Sequence, residues 1–373
     1  MLDRRPLNRT VLRAACRASH CTRFFPRITR HAARLLVLIV LASQPALADT
    51  VSLINGRVIQ GKVSFDAREG LVVLPKNLPS QRVELADLLG LTIDGRDAKP
   101  PKRRVTLVSG AQIAGDEVLA VNEREVRLKR SDGSLLNFNT ALVSKIDFRP
   151  ADAAPASPAS FVGVQLATGD LAEGEIVSVD EREAKISSVL FGIQSFDLRN
   201  AVRSVCFRGT GASGARYLVR TADGSEWHAT SLRIDKGRLH IESDGVGRTE
   251  LNGDTVTSIE LGPAGAEPMT GGQPVTLAPG QSREFPLGTK YRAALMTVSV
   301  PTRFVPNRPV RFVVAIDGKE VAKTDALTSI DGPQLLTVSV TGAQTMTVRL
   351  DAEGPPQLGV AGTITDVKLV RAN

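Results

Sequence analysis

The sequence has 373 residues, 42% of them hydrophobic, and a net charge of +8 whose positive excess sits entirely at its beginning. Nine of the 47 basic residues and one of the 39 acidic ones fall within residues 1–48, leaving 38 of each afterwards. A neutral remainder lacks the basic surface that phosphate backbones require, which argues against a nucleic-acid partner, and the apolar content argues against a disordered chain.

Residues 1–48 read as an export signal. A basic stretch ends at Arg34, the apolar run LLVLIVLA follows from Leu35, and Ala46-Leu47-Ala48 places small residues before Asp49. This order of charged, apolar and small residues predicts cleavage after Ala48. The arginine-rich, acid-poor character also suits a mitochondrial transit peptide, and Arg4-Arg5 is a weak twin-arginine signal because Pro6 follows directly. No later stretch approaches membrane-spanning length, so no stable membrane insertion is expected after cleavage, and the product is expected in the periplasm, at the cell envelope or outside the cell. Of the three cysteines only Cys206 lies beyond the signal, so no internal disulfide is expected.

Four related segments follow: VSLINGRVIQGKVSFDAREGLVVL from Val51, VTLVSGAQIAGDEVLAVNEREVRL from Val105, VQLATGDLAEGEIVSVDEREAKI from Val164 and YLVRTADGSEWHATSLRIDKGRLHI from Tyr217. Each alternates apolar and polar residues, reaches a glycine (Gly56, Gly110, Gly169, Gly224) and places a small residue five positions later (Gly61, Gly115, Gly174, Ala229). Each then turns at DAREG, NERE, DERE or DKGR and closes on LTID, KIDF, SVCF or SIEL. Period-two patterning with such turns predicts short strands, the first glycine making a hairpin turn and the second admitting a sharp bend. LADLLGL at 85–91 is the best short helical candidate.

The first segment, with Leu53, Gly56, Gly61, Phe65-Asp66 and the run from Leu71 to Leu74, resembles the Sm-like motif. That resemblance implies small, strongly bent five-stranded barrels of Sm-like or SH3-like type. Gly70 stands about where Sm proteins carry a base-binding Asn, so RNA binding is not carried over. The stretches 94–104, 149–160, 208–215 and 262–274 are rich in Pro, Gly, Ala, Ser or charge and read as joints. Lys102-Arg103-Arg104 reads as a solvated strand edge.

From residue 275 the strands lengthen, and Asp317-Gly318 between VRFVVAI and KEVAKT is a strong hairpin signal. A β-sandwich of jelly-roll or related topology is expected. Tyr291-Arg292 leading into an alternating strand, then RFVVAIDGKEVAKTDAL and VTGAQTMTVRLDA, resembles the NPCBM family of galactose-binding-like carbohydrate-binding modules found in exported bacterial proteins. The resemblance implies a glycan-binding fold, although the family's N-terminal segment is missing or degenerate and its acidic, tryptophan-bearing C-terminal segment is replaced by QLGVAGTITDVKLV.

Several motifs carry no chemistry. GRVIQGK at 56–62 lacks the Ser or Thr and the helix of a phosphate loop, and GTGASG at 209–214 precedes a strand rather than a βαβ unit. Beyond the signal only His228 and His240 are present, so a catalytic or metal-binding histidine group has few members. The neighbours Asp116/Glu117 and Asp180/Glu181 point to opposite faces of a strand. Trp227 occupies the position of Ile59 and Ile113 and reads as core before sugar platform, while Cys206 matches Asp147 and Glu260 and reads as outward or at an edge.

The expected organisation is all-β: a signal peptide (1–48), small barrels at 49–96, 103–149, 161–208 and 215–262, linkers at 150–160 and 263–272, and a sandwich at 273–373. The expected function is non-enzymatic, exported binding or scaffolding through the sandwich, with polysaccharide or envelope proteins as partners and no cofactor or metal. Tyr291, Arg292 and Trp227 are the candidate ligand contacts. A protein-assembly array and an accessory subunit of an exported hydrolase are the alternatives.

Overall fold

The computed structural model describes residues 48–122, 124–149, 158, 160–269, 273–301, 309–352 and 360–371. The expected signal through Leu47, most of the expected 150–160 linker and Phe304 lie outside the described residues. Strands and short 3-10 turns make up the regular structure that is described.

One order of elements occurs four times. The first segment contributes β1 (Thr50–Leu53), β2 (Val58–Gln60), β3 (Lys62–Asp66), β4 (Gly70–Leu74), β5 (Gln81–Val83) and β6 (Leu88–Thr92). The second contributes β7 (Arg103–Leu107), β8 (Gln112–Gly115), β9 (Glu117–Val121), β10 (Glu125–Lys129), β11 (Leu135–Asn139) and β12 (Val143–Asp147). The third contributes β13 (Gly163–Leu166), β14 (Leu171–Glu173), β15 (Glu175–Val179), β16 (Glu183–Ser188), β17 (Gly192–Asp197) and β18 (Val202–Cys206). In the fourth, β19 (Tyr217–Thr221) is followed by one long strand, β20 (Glu226–Asp235), then β21 (Arg238–Ser243), β22 (Gly247–Asn252) and β23 (Val256–Leu261). The four first glycines all have positive φ, from +79° to +97°, as a tight turn demands.

The last strand of each segment returns to its first: Val51 pairs with Leu91, Val105 with Ile146, Val164 with Val205 and Val219 with Ile259. Those last strands also pair with one another, Ile146 facing Val205 and Leu91 facing Ile259. The second segment therefore joins the third and the first joins the fourth, with further contacts at Val121–Val179 and Gln112–Glu226. One continuous apolar core runs through all four segments.

Three local expectations change. The 85–91 stretch is not a helix: Leu85–Asp87 forms a 3-10 turn and Leu88 begins β6, where pairing with β1 buries Leu88 and Leu91. Asn139 and Asn252 cap the equivalent turns, accepting from the backbone N–H of Ala141 and Asp254. Cys206 is buried rather than outward, because β18 lies between β12 and β13 instead of at an edge. The joints are not free spacers either: Ala266–Pro268 of the 263–272 stretch forms β24, which pairs with the last strand of the chain, and Arg96 donates to the carbonyls of Gly253 and Val256.

The C-terminal part is two packed sheets around a separate core. One holds β24, β25 (Val275–Leu277), β27 (Tyr291–Ser299), β30 (Gln334–Ser339) and β32 (Gly362–Arg371); the other holds β26 (Ser282–Pro286), β28 (Val310–Ile316), β29 (Lys319–Lys323) and β31 (Thr345–Ala352). Phe312, Val314, Val348 and Leu350 of one sheet face Met296, Val298 and Ile364 of the other. Asp317 and Gly318 both take positive φ (+47° and +80°), giving the expected hairpin turn. The Asp317 carboxylate accepts from the backbone N–H of Gln344 and Thr345.

Candidate functional site

Arg292 begins the sandwich's docking on the first segment. Its guanidinium donates to the Asp87 carboxylate at 2.6 Å and to the Ala86 carbonyl at 3.0 Å. Thr337 of β30 closes against the Gly56 turn so tightly that a Cβ on Gly56 would stand 2.9 Å from the Thr337 carbonyl oxygen. Arg216, just before β19, donates to the Arg371 carbonyl.

Beside these contacts a cleft of about 970 Å³ opens between the repeated segments and the sandwich. Leu53, Val58, Leu218 and Leu261 form one wall, and Leu295, Leu335 and Leu336 form the other. Val58 and Leu335 are largely exposed. The rim charges already have partners: Glu260 with Arg220 at 2.6 Å, Asp366 with Lys368 at 2.8 Å, and Arg57 with the Gln81 side chain at 3.2 Å. Asp366 takes a positive φ of +55° where β32 slips register against β27, a bulge that turns Asp366 and Lys368 to the cleft. Among the described residues no aromatic lines it.

Tyr291 anchors a second, polar depression on the sandwich. Only 7% exposed, it donates its hydroxyl to Glu267 at 2.8 Å, and the Lys290 ammonium covers its ring at 4.9 Å from the centroid. Arg371 donates to the same Glu267 oxygen at 2.9 Å. The Tyr291 hydroxyl first, then Arg371, then Lys290 hold the Glu267 carboxyl down at about 2, so it stays an ionised acceptor. Glu267, Lys290 and Arg371 remain open to solvent and can offer an acceptor and two donors to a polar ligand.

Trp227 is fully buried and faces Val219, as Ile59 faces Val51 and Ile113 faces Val105. With no exposed surface the ring offers no face to a sugar, and the Arg130 guanidinium, paired to Asp223 at 3.0 Å, lies 5.8 Å over it. The three sequence candidates are thus not brought together: Arg292 holds the sandwich, Tyr291 orders the polar depression, and Trp227 packs the fourth segment.

Sequence reading missed a Ser213–His228–Glu226 row. Ser213 Oγ lies 2.9 Å from His228 Nδ1, and His228 Nε2 lies 3.3 Å from Glu226. The row has the composition of a hydrolase triad but the wrong proton arrangement. His228 Nδ1 also lies 2.8 Å from the Ser109 carbonyl oxygen, which can only accept, so Nδ1 is a donor there and is not free to take a proton from Ser213. Ser213 Oγ itself accepts from the Ala215 backbone N–H. The histidine instead bolts the fourth segment to the second, and its bond with Glu226, followed by Arg220, lowers the Glu226 carboxyl to about 2.

No family model and no curated protein matches the chain. Similar solved structures include a CBM51 module from Clostridium perfringens GH95 in complex with methyl-galactose, at 13% identity and a TM-score of 0.25, covering 38% of this chain and 88% of that one. The tandem CBM51 modules of Sp3GH98 from Streptococcus pneumoniae match at 10% identity and a TM-score of 0.25, covering 72% of this chain and 99% of theirs. A C. perfringens ZmpB structure holding CBM51-2 with GlcNAc matches at 13% identity and a TM-score of 0.24, covering 56% of this chain and 40% of that chain. These neighbours are carbohydrate-binding modules, some from glycoside hydrolases; likeness at this level carries no argument about this chain's ligand. Among the described residues no helix is long and apolar enough to cross a membrane.

Proposed function

We propose that this chain is a non-catalytic binding and assembly protein acting outside the cytoplasm, in which four small barrels of Sm-like or SH3-like type hold the sandwich so that the two parts share one docking cleft. The signal-like residues 1–48 support export, and the recurring element order supports the barrel reading. The observation that carries the function is the chemistry of the cleft: leucine and valine walls from both parts, rim charges already paired, and, among the described residues, no ring on which a sugar could stack. Such a surface favours an apolar side chain of a protein over a glycan.

The test uses the mature chain, residues 49–373, diluted until it is monomeric, and the fluorescence of bis-ANS. Saturable binding at one site per chain is expected, abolished by Leu335→Arg and unchanged by Glu267→Gln. Binding that survives Leu335→Arg overturns the reading.

A second reading is glycan binding at the Glu267, Lys290, Tyr291 and Arg371 depression, favoured by its converging donors and ionised acceptor. Glycan-array binding lost in Glu267→Gln and Arg371→Ala, but kept in Leu335→Arg, would establish it. Array binding by none of these proteins would remove it.

A further inference from the structure

The hairpin turn between β16 and β17 in the third segment breaks the usual rule for exposed turns. Val189, Leu190, Phe191 and Ile193 stand there at 102%, 82%, 70% and 72% exposure. The matching turns of the sister segments are PKNLPS at 75–80, RSDGS at 130–134 and DGVG at 244–247, none with more than one leucine or valine, so a hairpin at this place has no need of an apolar cluster. No charged residue occurs from Ile186 to Phe196. A convex, neutral, apolar tip is a feature that folding does not explain.

We infer that this tip docks into the cleft of a second copy of the chain, joining copies head to tail. The inference rests on the reading of the cleft as a docking site and adds its occupant. Three properties of the two surfaces match. The tip is neutral, and the cleft's rim charges neutralise one another, so neither surface leaves a charge buried and unpaired. The described walls of the cleft are aliphatic and hold no aromatic residue, and the tip supplies one, Phe191. Its volume lies at the upper end of the roughly 300–1,000 Å³ that encloses a compact ligand, a size suited to a few large side chains.

Strand edges give the same direction. Among the described strands β17 is terminal in its sheet, and so are β2 and β30, which border the cleft. An incoming hairpin therefore carries an unpaired edge to a place where unpaired edges wait, and backbone pairing can fix its register. The tip is exposed and so does not fill its own chain's cleft. Tip and cleft belong to different elements, so a copy that accepts a tip still has its own tip to present to a third copy.

The experiment is sedimentation velocity on the mature chain from low to high micromolar concentration, with two variants at exposed positions. One is the tip double variant L190D/F191D and the other is the cleft variant Leu335→Arg. Wild type should gain mass continuously with concentration, and each variant alone should remain a monomer. An equimolar mixture should form 1:1 dimers and nothing larger, because one variant keeps only its cleft and the other only its tip. A wild type that stays monomeric, a tip variant that assembles like wild type, or a mixture that stays monomeric overturns the proposal. Tip-dependent binding to phosphatidylethanolamine–phosphatidylglycerol vesicles without self-association overturns it in favour of a lipid surface. If wild type stays monomeric at every concentration yet still binds bis-ANS at the cleft, the docking reading stands and the second copy does not.

Discussion

Gly61→Ala tests why the chain can turn its corner five residues after each tight turn. Gly61 needs no left-handed backbone; the constraint is approach. A methyl group there would stand 2.5 Å from the Leu74 carbonyl oxygen and 2.7 Å from Pro75 Cα, both backbone atoms of the neighbouring strand region. Ordinary contact between carbon atoms begins near about 3.5 Å, so β3 and β4 must part by most of an ångström. That degree of overpacking costs about 1–3 kcal/mol. Gly115 and Gly174 meet the Lys129 and Ser187 carbonyl oxygens at 2.8 and 2.7 Å and should behave alike. The fourth segment admits Ala229 at the same place, where β20 pairs on both sides, with Tyr217 and with Ser243. Urea denaturation of residues 49–373, followed by circular dichroism and by the fluorescence of Trp227, the only tryptophan, is the assay. Both signals should shift together to lower urea, because the Leu91–Ile259 pairing ties the first segment to the fourth. An unchanged midpoint for Gly61→Ala refutes the steric account; a shift in circular dichroism alone refutes the coupling.

Three further predictions follow from single contacts. Trp227→Ala should cost about 3–5 kcal/mol in the same urea assay read by circular dichroism, since the ring is fully buried. Glu226 has its carboxyl lowered from 4.5 to about 2, so its stabilising effect is complete above the unfolded value and is lost as pH falls through the folded one. The urea midpoint should therefore drop between about pH 5 and pH 2, with a flatter profile in Glu226→Gln; identical profiles would sink the assignment. Arg292→Ala should weaken docking of the sandwich by about 1 kcal/mol, given an ion pair partly open to water. Hydrogen exchange should then quicken at 85–88 and around Arg292, and a double-mutant cycle with Asp87→Ala should show the two residues coupled.

What the sequence revealed divides by range of contact. The Asp317-Gly318 turn and the four glycine turns were legible because positive φ is a demand the chain makes locally. Trp227 was legible as core because its alignment with Ile59 and Ile113 carried the burial over. Cys206 was misplaced because alternation along a strand says nothing about which strands flank it, and β18 gains a neighbour from the preceding segment. LADLLGL resembled a helix because its leucines stand three apart, a helical spacing; pairing with β1 decided for strand, and the register shift at Ser52 and Leu53 lets Leu88 and Leu91 both be buried. The cleft was invisible, since its walls come from residues as distant as Leu53 and Leu336, and the Ser213–His228–Glu226 row was hidden because Ser213 lies in a stretch that read as linker.

The pairing of the segments explains where the cleft lies. Leu91 against Ile259 and Ile146 against Val205 set the same position of each segment against itself, the mark of a local two-fold relation. In chain order these pairs are nested: the second and third segments form an inner pair, the first and fourth an outer one. Closing the outer pair brings β1 and β2 beside β19 and β23, and so sets Leu53 and Val58 next to Leu218 and Leu261. The inner pair contributes nothing to that wall and instead carries the exposed tip. Loosening one joint should therefore spare the other. Ile259→Ala, a buried truncation worth about 2–5 kcal/mol, should speed hydrogen exchange across 88–92 and 256–261 and weaken bis-ANS binding. Val205→Ala should act on 143–147 and 202–206 and leave the dye bound as before. If both variants weaken the cleft equally, the outer joint does not form it and the four segments act as one undivided body.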